Sequence, residues 1–181
     1  MSTIQAFQKG SADPQDARSD AAATIELVKT LMPGFEPELR LPLDVVWWSF
    51  KLPVPAKAEY EFSLSGLGEE RYIGATLLQF REERSRHRFW YCPLESAGFR
   101  DDAAKLEACF HEQVRRLLQH PTRITEKKGI IWLSYRGEYQ SESGWQRLRG
   151  GVMYLGLGFG VPFFGKKRVY TSPPVVSWIQ G

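Results

Sequence analysis

The chain has 181 residues, with 24 Lys and Arg against 21 Asp and Glu, a formal net charge of +3, and 43% hydrophobic content. Those proportions exclude a chain disordered throughout and predict one globular domain, while a pI near 8.9 is too mild on its own to demand a nucleic-acid partner. There is no Asn, hence no N-glycosylation sequon and no catalytic Asn, and the 13% aromatic share points some of the rings to a binding surface.

Residues 1–18 are polar and read as a flexible N-terminal tail without the apolar stretch of a secretory signal, leaving 19–181 as a single domain and the cytoplasm as the expected compartment. A helix is expected from Ser19 or Asp20, with Ile25, Val28, Leu31 and Met32 at helical spacing and Pro33-Gly34 as its stop. After a Pro-rich connection the period changes from 3.6 to 2. The run 44–52 is continuously apolar, as in a strand covered on both faces. In the next strand Ala58, Tyr60, Phe62 and Leu64 alternate with Glu59, Glu61, Ser63 and Ser65, so one face is wet. A turn at Gly66–Gly68 leads to a third strand, and "FWYCPL" at 89–94 reads as a fourth.

The clearest element is a long amphipathic helix capped by Asp101 or Asp102. Leu106, Cys109, Phe110, Val114, Leu117 and Leu118 form its stripe, and Pro121 ends it. A hairpin follows, with one strand in 123–139, a turn at "QSESG" and a second strand in 145–159; a short strand in 166–172 completes the order α-β-β-β-β-α-β-β-β. The fold class is therefore α+β: an antiparallel sheet of about six to seven strands, with the long helix packed on it and a shorter N-terminal helix.

Several chemical motifs fail on inspection. "GVPFFGKK" at 160–167 matches the phosphate-loop pattern G-x-x-x-x-G-K-[ST] except at Lys167. The β-forming, Pro-rich segment after it cannot supply the helix and the Mg²⁺ carboxylate such a loop requires. "HEQVR" at 111–115 has Arg115 where a zinc protease needs its second His. Cys92 and Cys109 lie far from any CxxC and read as buried thiols. No cofactor, metal site or catalytic residue emerges, so the reading leans away from an enzyme.

The chargeless run 150–165 carries basic flanks, Arg147 and Arg149 before it and Lys166 to Arg168 after it. It is too short and too rich in glycine to span a bilayer, and reads as sheet interior. "REERSRHR" at 81–88 reads as a charged hairpin tip able to fork acidic groups, and "WW" at 47–48 offers aromatic anchors. The expected function is a non-enzymatic protein-binding domain, such as an adaptor, a chaperone or an immunity-type inhibitor of a cognate protein. It would act by occlusion through Trp47, Trp48, Arg84, Arg86 and Arg88. The alternatives are a small-molecule binder or enzyme with a pocket between helix and sheet, and membrane-surface or nucleic-acid association through the basic segments flanking 150–165. Nucleic-acid association would require the 81–88 segment, Arg147, Arg149 and Lys166–Arg168 to converge with stacking aromatics such as Trp90 or Trp145.

Overall fold

A strand whose alternate residues are all large and apolar must turn that side to a partner. In the computed structural model, which describes residues 14–41, 47–67, 70–78, 88–91, 103–128, 133–148 and 166–178, this rule organises the first sheet. Strands β1 (Trp47–Lys51), β2 (Tyr60–Leu67), β3 (Glu70–Leu77) and β4 (Arg88–Tyr91) pair in chain order, all antiparallel. Trp48, Phe50, Leu52, Tyr60, Phe62, Leu64, Ile73, Ala75 and Leu77 share one face and are buried. Helices α1 (Pro14–Leu31) and α2 (Ala103–Gln119) cover that face, α1 against β1 and α2 against β3, and the helices also touch each other.

The chain is α+β with antiparallel sheets, as expected, but the sheet is not single. A second four-stranded sheet has the order β7-β6-β5-β8, built from β5 (Thr122–Lys128), β6 (Leu133–Ser141), β7 (Gly144–Arg147) and β8 (Lys166–Ser172). The run expected as one long strand in 123–139 folds back on itself, with Thr122 opposite Tyr139 and Lys128 opposite Leu133. That extra strand brings the total among the described residues to eight. The two sheets meet along a short seam in front of β2. Glu59 N–H donates to the Thr171 carbonyl at 3.0 Å, and the Glu59 carboxylate accepts from the Thr171 N–H at 2.6 Å. Behind the seam Tyr60 Oη and Thr122 Oγ1 share a buried hydrogen bond of 2.6 Å.

Two boundaries also differ. Helix α1 begins at Pro14, inside the stretch read as a tail, because proline's fixed φ and missing N–H suit the first helical position. It is therefore not the shorter helix: α1 has 18 residues and α2 has 17. Ala17, Ala21, Thr24, Val28 and Met32 form its buried stripe, which leaves Asp20 inside the helix rather than at its cap. Gly66, read as part of a turn, lies within β2. It sits opposite Trp48 on one side and Arg71 on the other. The run 150–165, Cys92 and the cap residues Asp101 and Asp102 lie outside the described residues.

Gly66 is there for space rather than for a turn. A Cβ built on it would lie 2.5 Å from Trp48 Nε1 and 2.6–2.8 Å from two ring carbons, well inside contact distance. The indole crosses β2 where a side chain would otherwise stand. Gly66→Ala is expected to lower stability by about 1–3 kcal/mol through overpacking. Trp48→Phe in the same chain should recover part of the loss, since the smaller ring vacates the contact. Urea midpoints of the two single variants and the double would show strictly additive losses if this contact were unimportant.

Candidate functional site

Arg71 stands at an inward position of β3, in line with Ile73 and Ala75, and only 9% of its side chain is exposed. A guanidinium there needs partners. Its Nη2 donates to Asp20 Oδ1 of α1 at 2.5 Å, and its Nε donates to Glu107 Oε2 of α2 at 2.9 Å. The other oxygens are occupied as well. Trp48 Nε1 donates to Asp20 Oδ2 at 2.6 Å, and His111 Nε2 lies 2.8 Å from Glu107 Oε1, one helical turn on. Thr24 Oγ1 lies 3.2 Å from that ring nitrogen. The Arg71 guanidinium carbon is 5.8 Å from the Trp48 ring centroid, within reach of a cation–π attraction.

Burial works against ionising Glu107. The His111 hydrogen bond and the Arg71 charge outweigh it and hold the carboxyl below its ordinary range. A carboxylate with both oxygens engaged by fixed partners is a poor general base, because no lone pair is aimed at a substrate. The cluster ties α1 and α2 to the first sheet. Where the two sheets and α2 meet, a void lined by Phe62, Ile73, Ile124 and Leu148 is apolar and about the size of one water molecule, too small for a substrate. Among the described residues no group of three or more His, Cys, Asp or Glu could hold a metal ion, and no helix is long and apolar enough to cross a membrane. Cys109 carries a free, half-buried thiol.

A second cluster lies on the second sheet. Ladder register puts Arg123, Thr125 and Lys127 of β5 on one face, together with Glu138 and Arg136 of β6, Trp145 and Arg147 of β7, and Lys167, Val169 and Thr171 of β8. The opposite face carries Ile124 and Tyr170 into the core. Among the described residues the cations Arg123, Lys127, Arg136, Arg147 and Lys167 thus share the face with one strand carboxylate, Glu138, and the Glu59 carboxylate reaches its β8 edge at Thr171. Glu138 is buried and already bound by Arg123 at 2.8 Å and Arg136 at 3.3 Å. Arg123 also stacks on Trp145, 4.3 Å from the ring centroid. Among the described residues Lys127, Arg147 and Lys167 are exposed and make no ion pair.

The anchors expected from sequence fare differently. Trp48 has no exposed area, so its ring serves the core and is not displayed to a partner. The side chains of Trp47 and Arg88, and Arg84 and Arg86 altogether, lie outside the described residues. Arg88 opens β4, in the first sheet, and is not part of the cationic face. Of the basic flanks of the apolar run, Arg147 and Lys167 share a face with Trp145, Lys166 and Arg168 stand at register positions of the opposite face, and Arg149 lies outside the described residues. Sequence reading missed Asp20, Thr24 and Arg71. The signal was a charge at an inward position of an alternating strand. It also missed Arg123 and Lys127, which alternate with Ile124 in β5. No protein-family model matches the chain, and no curated protein or solved structure is significantly similar to it.

The network has a pH signature. An unfolded Glu titrates near 4.3, and the folded Glu107 titrates lower. Its contribution to stability is therefore complete above about pH 4.3 and is lost as pH falls through the folded value. Glu107→Gln should flatten that acid limb in urea midpoints measured from pH 6 to pH 3. An unchanged limb would remove Glu107 from the account. Arg71→Met, which leaves two carboxylates without their cation, is expected to cost about 3 kcal/mol at neutral pH.

Proposed function

We propose that the protein is a non-enzymatic binding domain that holds an acidic macromolecular partner against the open face of its second sheet. The observation that carries this reading is the charge on that face among the described residues: exposed Lys127, Arg147 and Lys167, together with Arg123 and Arg136, against Glu138, already bound by two arginines, and Glu59 at the edge, already bound to Thr171. Unneutralised cations gathered on a rigid face raise the local potential and favour an acidic counterpart, a tendency that the mild net charge of the whole chain conceals. The reading keeps the expectation of a partner gripped by basic and aromatic side chains. It relocates the grip from Trp48 and the 81–88 segment to the β5–β8 sheet, where the side chains are held by paired strands.

Retention on heparin resin tests it. The triple variant Lys127→Gln, Arg147→Gln, Lys167→Gln should elute at markedly lower salt than the parent. A control triple, Arg18→Gln, Arg40→Gln, Arg115→Gln, removes the same charge from exposed positions away from this sheet. It should elute close to the parent. If the control shifts as far as the first triple, net charge alone governs retention and the face has no special role.

A further inference from the structure

We propose that the partner held on this face is single-stranded nucleic acid, with its phosphates following Arg147, Arg136, Lys127 and Lys167 and a base stacked at Trp145. The inference rests on the binding-domain reading above and names the chemistry of its partner.

The face lacks the apolar centre of a protein interface and makes a good phosphate track. Interfaces between proteins centre on apolar and aromatic side chains; they enrich Arg, as this face does, but deplete Lys, which it also carries. Here the exposed large hydrophobic among the described residues is Val169, and the remaining exposed positions are mostly cationic or hydroxylic. From Arg147 on one edge strand to Lys167 on the other, the register crosses three strand gaps and four residues along β5. With strands about 4.8 Å apart and a rise of about 3.3 Å per residue, the two Cα atoms are about 20 Å apart. Arg136 and Lys127 lie between them. A diagonal of cations over that length suits an extended chain with one charge per unit.

The β5–β8 ladder supplies an independent observation. Lys127 stands directly opposite Lys167, and Lys128 directly opposite Lys166. Like charges at directly opposed positions destabilise a sheet. Among the described residues no carboxylate relieves the Lys127–Lys167 pair: Glu126 belongs to the other face, and Glu138 is held by two arginines. A phosphodiester crossing this end of the sheet would offset the repulsion.

Trp145 selects single strands. It is half-buried, and Arg123 covers one face of its ring at 4.3 Å. Aromatic and guanidinium planes on a sheet surface stack unpaired bases, whereas a duplex keeps its base faces hidden. An acidic polypeptide would supply the charges but nothing planar for the ring to hold.

The test uses the intact protein with three fluorescein-labelled probes, a 20-nucleotide oligothymidylate, a 20-base-pair duplex and polyglutamate, read by anisotropy across a salt series. Oligothymidylate is expected to bind more tightly than either competitor. With four phosphate contacts, log K should fall against log salt with a slope of about −3. Lys167→Gln should flatten that slope by about 0.7. Trp145→Ala should weaken oligothymidylate at least ~5-fold, while Trp145→Phe retains most of the affinity. Because Trp145→Ala could disturb folding, its thermal midpoint is measured alongside, and the exposed Lys127→Gln, Lys167→Gln pair gives a second route. The pair should weaken binding while leaving the midpoint equal or higher. Equal affinity for the duplex, or a folded Trp145→Ala that binds like the parent, overturns the inference. Tight binding of polyglutamate alone also overturns it and assigns the face to an acidic protein, with the binding-domain reading intact. If no probe binds, both readings fall.

Discussion

A guanidinium buried between two helices and a sheet must be neutralised where it lies, and that requirement fixes how the first half of the molecule is assembled. Taking a charge out of water costs several kcal/mol unless geometry restores what hydration supplied. Arg71 meets this with Asp20 from α1 and Glu107 from α2, so neither helix can shift along the sheet without stranding a charge. The cluster extends to Trp48, whose indole N–H completes Asp20. That contact exists only because Gly66 leaves the indole a path across β2. A missing side chain, an aromatic and three ionisable groups thus form one unit, which specifies the arrangement more than it adds to net stability.

The second sheet inherits its orientation from this core. Tyr60 of β2 bonds Thr122 of β5, and Ile124 and Tyr170 turn inward beside them. Strand period 2 then decides which residues face outward. A slip of one residue would drive Arg123 and Lys127 into the core and expel Ile124, so the apolar positions hold the cationic face in register. Cations on paired strands lose less freedom on binding than the same residues on a loop, which favours a sheet surface over a hairpin tip as the binding element.

Much of the first sheet was legible because its signal is local. Alternation in Tyr60–Leu64 states which side is buried, and the stripe Leu106–Phe110–Val114–Leu117 states how α2 docks. The second sheet was legible only in part. The run 123–139 carries a local signal that its reading as one strand overlooks: Glu126, Lys127, Lys128 and Gly129 are poor strand formers between two β-rich stretches, and those stretches pair, Thr122 opposite Tyr139. The buried network, by contrast, depends on distant pairings. Asp20 and Arg71 are 51 residues apart, and Arg71 and Glu107 are 36 apart. Each looks like an ordinary surface charge until the strands align. Trp48 admitted two readings, a strand covered on both faces or a displayed anchor, and the space over Gly66 takes its ring wholly into the core.

The two sheets treat charge in opposite ways, and that contrast locates function better than any single residue. In the first sheet the described charges are matched: Arg71 with two carboxylates, Lys51 with Glu61 at 2.5 Å. In the second, Lys127 opposes Lys167 although Glu at either position would relieve the repulsion at no cost to packing, both sites being exposed. A repulsive pair that could be removed so simply does not serve the fold. In the proposed reading it serves the anion laid across it, and the same reading covers Arg147, which sits opposite a carboxylate already occupied by Arg123 and Arg136. The face carries more positive than negative charge by itself, and the proposed partner would complete it with regularly spaced negative charge and a flat surface for Trp145.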